Sequence, residues 1–383
     1  MSFRYIKVKT KGQIEGEKLL VPKLRFKEFN NEYKKYKIGD TLKVKSGKNQ
    51  KLIECINGKY PILGTGGQIG TTNSFLYDKP SVLIGRKGTI NKPQYMTTPF
   101  WTVDTLFYTD IKEEFNTKYI FYAFQNINWK KYDESTGVPS LSCKTIEEIL
   151  YYIPNKDEQD KISTFITLLD KKIELQQRRI EALKIYKKGL IQKLIDFNNY
   201  PERSVSEFGT IITGATPSKL IPSYWNNGTI VWVTPSDITE SKDIYTSYDM
   251  LTVDGLSAGR FIPAGSVLVT CIASIGKNAI LKTDGSCNQQ INAIIPNENF
   301  KADYLYYLFE MKKDYLQSIA GTSATSIINK SSFEKLVFKV PSIEQQNKSS
   351  KILNCLELKI ENEKFKLKKL NLLKKSLLQQ MFI

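Results

Sequence analysis

Histidine is absent from this chain of 383 residues. The protein therefore has no imidazole to serve as a general base, a metal ligand or a phosphoryl relay near neutral pH. Because the commonest hydrolytic triads depend on histidine, this absence excludes them. It also removes the side chain that most often binds transition metals.

Nucleotide-binding and methyltransferase motifs are missing as well. Gly276-Lys277 is followed by Asn278 instead of Ser or Thr, so the sequence contains no Walker loop. The glycine cluster at 64–70 lacks the dinucleotide-binding spacing and is typical of turns. No Asp/Asn/Ser-Pro-Pro-aromatic tetrapeptide of the adenine methyltransferases occurs. The common nucleotide-binding and adenine-methyltransferase motifs are therefore not available to this chain.

Paired cysteines and long apolar runs are also lacking. The five cysteines are widely spaced, with no CxxC pair, which argues for reduced thiols and against a disulfide frame or a zinc site. No apolar run approaches about 18 residues, and no signal peptide opens the chain. These features predict a cytoplasmic protein without a membrane partner or a bound metal.

Positive charge is abundant. The formal net charge is +17, and residues 1–51 hold 15 Lys and Arg against 5 Asp and Glu. Such a surface attracts polyanions, and the attraction weakens with salt, so double-stranded DNA is a candidate partner. A flexible basic segment that only improves solubility is the alternative interpretation of the first residues.

The chain contains an internal repeat. Ile153–Ile195 and Val340–Phe382 are related by a shift of 187 residues, and each segment opens with a proline turn and a matching glutamine, Gln159 and Gln346. The repeat predicts alternating globular and helical parts. The predicted division is a basic lead at 1–31, a first globular domain at 32–152, a central helix at 153–196, a second globular domain at 197–339 and a C-terminal helix at 340–383.

Both helical segments carry a heptad ladder of apolar residues with two polar positions each. An antiparallel pairing in which facing residue numbers add to 550 places apolar residues opposite apolar residues. It also predicts that Lys187 meets Glu363 and that Gln176 meets Lys374, which would fix the register. At 1.5 Å per residue the stretch from Leu169 to Leu194 is about 39 Å long.

This length is close to the roughly 34–36 Å between half-sites one turn apart on duplex DNA. The helical pair could therefore act as a spacer of defined length. An ordinary helical dimerisation arm is the alternative that the pattern leaves open.

Each globular segment combines strands, glycine turns and an aromatic helix, which predicts a mixed α/β domain. The apolar runs Ser81–Ile84 and Ser266–Val269 are each predicted to be strands. We matched the turn at 85–89 with the turn at 274–278. The aromatic residues of the closing helices have core spacing and are not expected to stack on bases.

Polar loop residues are the best candidates for contacts with DNA, because Arg and Lys suit guanine and phosphates while Asn and Gln suit adenine. Taken singly, such residues are more often solvated loop positions. The candidates in the first domain are Lys45, Ser46, Lys48, Gln68, Arg86 and Lys87. Those in the second domain are Thr216, Ser218, Lys219, Ser274, Lys277, Asn288, Gln289 and Gln290.

Several phrases, in this order, resemble the specificity subunit of Type I restriction-modification systems, and the resemblance covers nearly the full chain. They include the lead-in at 21–26 (VPKLRF), the entry to the central helix at 137–140 (GVPS) with Ile153-Pro154 and Glu158-Gln159, and the opening of a target-recognition domain at 213–218 (TGATPS). The segment at 83–90 (LIGRKGTI) is similar to a later part of such a domain. Around 341–346 the Glu-Gln pair is ambiguous by one residue.

The resemblance implies a non-catalytic DNA reader with two similar mixed α/β target-recognition domains and a pair of long antiparallel helices related by a pseudo-two-fold axis. Each domain would bind one part of a split, asymmetric target, and the helices would set the gap. It also implies two methyltransferase subunits and two ATP-dependent translocase-nuclease subunits as partners. S-adenosylmethionine, ATP and magnesium would then bind those partners.

Two alternatives come from other classes of protein. A stand-alone metal-dependent nuclease could use Asp237, Glu240 and Lys242, although three such residues in a polar loop also occur by chance. A coiled-coil adaptor with incidental basic charge would have no affinity for DNA at any salt concentration.

Overall fold

The computed structural model describes residues 3–5, 21–195, 199–320 and 327–383. The chain divides into two compact units. Unit 1 comprises Met1–Gln177 and Lys366–Ile383, and unit 2 comprises Arg178–Phe365. The first 20 residues of the predicted basic lead lie outside the described residues, except for 3–5.

Unit 1 is a mixed α/β domain. Its strands are β1 Phe3–Tyr5, β2 Leu24–Phe26, β3 Lys34–Lys37, β4 Leu42–Lys45, β5 Tyr60–Gly64, β6 Gly67–Thr72, β7 Ser81–Gly85, β8 Gln94–Met96, β9 Trp101–Thr102, β10 Leu106–Ile111 and β11 Leu150–Ile153. Its short helices are α1 Ile38–Thr41, α2 Thr117–Asn126 and α3 Cys143–Glu148. The long helix α4, Lys156–Ile195, begins in this unit and ends in unit 2.

Unit 2 is also a mixed α/β domain. Its strands are β12 Glu202–Ser204, β13 Gly209–Thr213, β14 Ile230–Val233, β15 Asp243–Ile244, β16 Met250–Leu251, β17 Val267–Thr270, β18 Asn278–Leu281, β19 Gly285–Cys287, β20 Ile291–Pro296 and β21 Val337–Lys339. Its helices are α5 Val253–Ala258, α6 Ala302–Met311, α7 Lys313–Ile319 and α8 Lys330–Glu334, and the long helix α9, Ile343–Met381, begins here.

The two units share a sheet topology. In unit 1 an antiparallel sheet has the order β4-β10-β7-β8, and in unit 2 the corresponding sheet has the order β13-β20-β17-β18-β15, in which only the edge pair β18-β15 is parallel. A second sheet in each unit contains one parallel pair, β5 with β9 and β14 with β19. The predicted pair of similar mixed α/β domains is confirmed, as are the strands near residues 81 and 266.

The aromatic helices α2 and α6 lie in the cores. Tyr119, Tyr122 and Phe124 are fully buried in unit 1, and Tyr304, Tyr307 and Phe309 are fully buried in unit 2. Their interior position confirms the interpretation of this spacing as core packing. These rings are therefore not available to stack on bases.

The long helices pair antiparallel within each unit. Residues early in α4 contact residues late in α9, and residues late in α4 contact residues early in α9. In unit 1 Asp170 binds Lys374 at 2.7 Å. In unit 2 Arg179 binds Glu363 at 3.5 Å, and Lys187 forms an ion pair with Glu357. The antiparallel prediction is confirmed, but the predicted pairings Lys187–Glu363 and Gln176–Lys374 are wrong.

The register differs from the predicted one by about one heptad. The residue numbers of these ion pairs add to 542 or 544 instead of 550. A slip of seven residues keeps the two apolar ladders in contact but places their polar positions opposite apolar residues, so the ladder by itself favours the wrong one of the two registers. The carboxylates of Asp170 and Glu357 decide between them, since each lies where a lysine of the other helix can reach it.

A buried glutamine joins each long helix to its own globular domain. In unit 1 Gln159 accepts a hydrogen bond from the backbone nitrogen of Asn116, which precedes α2, and donates to the carbonyl of Pro154. In unit 2 Gln346 accepts from the backbone nitrogen of Lys301, which precedes α6. It also donates to the carbonyls of Asn299 and Pro341. Gln346 is therefore the counterpart of Gln159, which resolves the one-residue ambiguity in the sequence.

We expect Gln346→Ala to lower the free energy of unfolding by about 1–3 kcal/mol, because it leaves buried backbone groups without partners. Urea unfolding measured by circular dichroism would check this value. Gln345→Ala is the control, because Gln345 is only partly buried on the adjacent helical position. Equal losses in the two variants would contradict a specific role for Gln346.

A buried ion pair ties the lead-in to α4 in unit 1. Arg25 donates from Nε and Nη2 to the two carboxylate oxygens of Glu158, at 2.7 and 2.6 Å. The Arg25 and Glu158 side chains are 1% and 0% exposed. The hydroxyl of Tyr33 also donates to Glu158, at 3.3 Å, and burial raises the pKa of Tyr33. This network anchors Arg25, in the lead-in at 21–26, to the start of α4.

The five cysteines are free thiols. Burial raises the pKa of both Cys271 and Cys287 to about 12, so these two thiols are protonated and unreactive near neutral pH. No helix in the described part of the chain has the length and apolarity needed to cross a membrane.

Candidate nucleic-acid interface

A short segment of unit 1, residues 102–105, joins the loops that carry most of the predicted DNA contacts. The backbone nitrogen of Lys48 donates to the carbonyl of Thr102 at 2.8 Å, and that of Arg86 donates to the carbonyl of Thr105 at 2.8 Å. The nitrogen of Val103 donates to the carbonyl of Leu63 at the end of β5. Loops that are far apart in sequence therefore meet around one segment, which we call the hub of unit 1.

A glycine makes the closest approach to this hub. A Cβ atom on Gly47 would lie 2.0 Å from the carbonyl oxygen of Val103, so the close packing requires glycine at this position. The indole nitrogen of Trp101 donates to the carbonyl of Lys48 at 2.9 Å and holds the same loop. The loop is thus fixed by its backbone, while its side chains remain available.

The predicted contact residues of unit 1 differ in availability. Ser46, Lys48, Gln68 and Lys87 are exposed, and Arg86 is partly exposed. Lys45 forms an ion pair with Asp110 at 2.8 Å. The hydrogen bond from Lys45 lowers the pKa of the Asp110 carboxyl, so both groups stay charged and much of the Lys45 charge is compensated.

Unit 2 has an equivalent hub at residues 287–290. The backbone nitrogen of Ala215 donates to the carbonyl of Cys287 at 2.9 Å, and that of Cys271 donates to the carbonyl of Gln290 at 2.8 Å. A Cβ atom on Gly214 would lie 2.2 Å from the carbonyl oxygen of Asn288. Gly214 thus has the role of Gly47, and Trp232 has the role of Trp101, because its indole nitrogen donates to the carbonyl of Ala215.

The hub of unit 2 brings together six of its predicted contact residues. Thr216 donates to Gln289 at 2.5 Å, and both side chains are exposed, as are Ser218 and Lys219. Asn288 is buried, and its side chain bonds to Gln290 through donor and acceptor atoms. Asn288 shapes the turn from within, whereas the next residue, Gln289, faces solvent.

Ser274 and Lys277 belong to a turn whose counterpart differs from the predicted one. The bond from Cys271 to Gln290 matches the bond from Arg86 to Thr105. Ala273 has a φ of 62°, at the position that Gly88 occupies with a φ of 84°. The match of 85–89 with 274–278 is therefore wrong, and the counterpart is 270–274. A buried thiol, Cys271, stands where unit 1 has Arg86.

The nuclease-like pattern does not form one cluster. Asp237 accepts hydrogen bonds from the backbone nitrogens of Thr234 and Tyr248. Glu240 binds Lys184 and Lys364, while Lys242 bonds to Asp303 and Asn354. Within the described residues, no group of His, Cys, Asp and Glu side chains could hold a metal ion.

A known protein family matches both globular domains of the chain. The sequence profile of a family described as the Type I restriction modification DNA specificity domain matches residues 30–184 and again residues 198–372. The chain belongs to this family. Each match covers one globular domain together with part of the long helix that follows it.

Curated members of the family are similar over part of their length. The chain is 33% identical over 168 residues to the Type I restriction enzyme MjaIX specificity subunit of Methanocaldococcus jannaschii, which covers 42% of this chain and 39% of the relative. It is 27% identical over 220 residues to the EcoR124I/EcoR124II specificity subunit of Escherichia coli, which covers 54% of each protein. The chain thus spans about half or less of these two curated relatives.

Solved structures of Type I proteins share the fold over nearly the whole chain. The S subunit from M. genitalium superposes with a TM-score of 0.63 at 15% identity, covering 95% of this chain and 99% of that one. A chain from a study of complex assembly in the Type I system gives a TM-score of 0.62 at 10% identity, covering 91% and 97%. At these identities the likeness establishes the fold.

Sequence reasoning missed the hubs, which are the organising feature of both Type I specificity domains. They act through backbone carbonyls, which leave no side-chain signature in the sequence. One signal was present: Lys-Leu-Ile occurs at 51–53 and again at 219–221, four or five residues after the packed glycines. The indole nitrogens of Trp101 and Trp232 hold loop carbonyls in place.

Proposed function

We propose that this chain is the DNA-recognition subunit of a Type I restriction-modification complex and that each unit reads one half of a split, asymmetric target. The observation that supports this most directly is the pair of hubs. In each unit one short segment gathers glycine-bordered loops whose exposed side chains are Lys, Ser, Thr and Gln, the residue types that bind phosphates and base edges.

The two hubs carry different side chains, which supports the recognition of two different half-targets. Unit 1 presents Lys48, Gln68 and Lys87, whereas unit 2 presents Thr216, Ser218 and Gln289. Because base readout depends on the pattern of donors and acceptors, two such sets favour two different short sequences. The long helices would set the gap between these sequences.

Exposed apolar residues on the long helices support docking of two methyltransferase subunits. Ile185 and Tyr186 on α4 and Leu372 and Leu373 on α9 are all at least half exposed, and the two pairs are separated by the repeat shift of 187 residues. One pair belongs to unit 2 and the other to unit 1. Repeated apolar surface of this kind is typical of a protein interface, here for one partner per unit.

Catalysis would then belong to the partners. The methyltransferase subunits would bind S-adenosylmethionine, and two translocase-nuclease subunits would use ATP and magnesium. This chain would contribute the choice of DNA sequence.

Co-expression with the partner methyltransferase, followed by mapping of methylated adenines in the host genome, tests this function. The expected result is one bipartite motif with a constant gap. A methylation pattern that does not change when the chain is deleted would refute the proposal, as would metal-dependent DNA cleavage by the purified chain. Absence of DNA affinity at every salt concentration would favour the coiled-coil adaptor instead.

We expect Arg86→Ala and Lys277→Ala each to relax one half of the target only, at a cost of about 1–3 kcal/mol in discrimination if the side chain contacts a base. Competition binding with duplexes altered in one half would measure this. Lys45→Ala is a useful comparison, because Lys45 is already paired with Asp110. A uniform loss of affinity over unrelated duplexes would identify Arg86 and Lys277 as phosphate contacts.

A further inference from the structure

One tight turn recurs in both units with Lys, Leu and Ile at its last three positions. In unit 1 the backbone nitrogen of Ile53 donates to the carbonyl of Gln50 at 3.0 Å. In unit 2 the nitrogen of Ile221 donates to the carbonyl of Ser218 at 3.3 Å. Both turns have Lys-Leu at their two central positions, and both follow the glycine that packs on the hub. We call them the leucine turns.

The leucine of each turn is almost wholly exposed. Leu52 is 99% exposed and Leu220 is 91% exposed. The central positions of tight turns favour Gly, Asn, Asp, Ser and Pro, so turn chemistry does not account for leucine here. Single exposed apolar residues are ordinary on protein surfaces. The same exposed residue at the same turn of two domains with different loops indicates a shared use.

The surroundings of the leucine turns suit DNA. Lys51 precedes Leu52, and the exposed Lys48 lies on the same loop. In unit 2 Lys219 precedes Leu220 and is positioned by Asp249, at 2.5 Å, and by the ring of Trp225, whose centroid is 4.0 Å from Nζ. Lysines bind phosphates, whereas an apolar tip suits the thymine methyl group on the floor of the major groove.

We propose that Leu52 and Leu220 are apolar base contacts, each of which packs against the 5-methyl group of a thymine in the half-target of its own unit. This inference rests on the proposed function and adds specificity-determining residues to it. The thymine methyl is the apolar group that the major groove displays, and aliphatic side chains recognise it. In unit 1 Lys51 binds a neighbouring phosphate and holds the turn in the groove, whereas in unit 2 the charge of Lys219 is already paired with Asp249.

Competition binding by the full-length chain, with its methyltransferase subunits, tests these contacts on the mapped target. One set of duplexes carries uracil in place of thymine in the first half, and another carries it in the second half. The wild type is expected to bind both substituted duplexes about fivefold more weakly, since about one buried methyl group is lost. Leu52→Ala should abolish the preference in one half only, and Leu220→Ala in the other.

Matched control variants separate the loss of thymine preference from a general loss of exposed apolar surface. Leu150 and Val337 are 50% and 48% exposed, and they open the equivalent strands β11 and β21 away from the leucine turns. Leu150→Ala and Val337→Ala should keep the full thymine preference. Lys51→Ala should reduce the slope of log affinity against log salt by about 1, whereas Leu52→Ala should leave that slope unchanged.

Three results would overturn the leucine contacts. The first is equal affinity of the wild type for thymine and uracil duplexes, and the second is a thymine preference that survives in both leucine variants. The third is a rise in 2-aminopurine fluorescence that does not depend on thymine, because this rise would mean that leucine inserts between base pairs. If the wild-type protein still selects its target in any of these cases, the proposed function stands and only the leucine contacts are refuted. A wild type that prefers no duplex would refute the proposed function itself.

Discussion

Inserting one heptad into each long helix is expected to widen the gap between the two half-targets and to leave the half-targets unchanged. Duplicating residues 171–177 in α4 and 366–372 in α9 places both insertions at the boundary between the units. Seven helical residues add about 10 Å, and this corresponds to about three base pairs at roughly 3.4 Å per pair. Mapping methylated adenines in cells with the altered chain would reveal the new gap.

Duplication in α4 alone is the control for this experiment. With one helix lengthened, the ion pairs Asp170–Lys374 and Lys187–Glu357 cannot both keep their places. We therefore expect loss of methylation instead of a new gap. An unchanged gap after the double insertion would refute the spacer role of the helices.

Glu158→Ala is expected to destabilise unit 1 by about 3–5 kcal/mol, because it leaves the guanidinium of Arg25 buried without its counter-charge. Two of the lost bonds are shorter than 2.8 Å and lie in the interior, where water cannot replace the carboxylate. Urea unfolding followed by tryptophan fluorescence would measure the loss, since Trp129 is buried in the core of the same unit.

The double variant Arg25→Met, Glu158→Leu separates the effect of an unpaired charge from that of lost packing. Apolar residues of similar volume often replace a buried ion pair at little cost. We expect this variant to recover most of the stability that Glu158→Ala loses. If the double variant is as unstable as the single one, the unpaired charge of Arg25 is not the cause.

The sequence was sufficient to predict the repeat, the two mixed α/β domains and the antiparallel helices, because each depends on a pattern that the chain carries twice. Gln159 and Gln346 illustrate this, since their equivalent positions match equivalent bonds. The aromatic residues of α2 and α6 were also correctly predicted as core, because helical spacing of large apolar side chains defines a buried face.

The register of the helices could not be predicted in the same way. A heptad pattern defines which face is buried, but a slip of seven residues preserves it. The deciding groups are Asp170 and Glu357, which lie beside the ladder instead of on it. Charged residues flanking the apolar positions therefore hold the information that the ladder lacks.

The turn alignment failed for a related reason. The turns at 85–89 and 274–278 look alike in sequence because each contains a glycine and a basic residue, and Gly88 and Gly276 both have positive φ. The true counterpart of Gly88 is Ala273, a residue whose sequence gives no sign of its backbone conformation. The individual base contacts remain predictions, since exposure and loop position identify candidates without identifying the base that each one meets.

The hydrogen bonds by which Gln159 and Gln346 join each long helix to its globular domain affect how such proteins can diversify. Gln159 and Gln346 bond to backbone atoms of Asn116, Pro154, Lys301 and Pro341, and not to their side chains. Because these bonds use backbone atoms, they are compatible with many different side chains on the globular lobe that each glutamine anchors. Lobes with unrelated surface loops could therefore be exchanged on an unchanged pair of struts, and a new target would arise without any redesign of the scaffold.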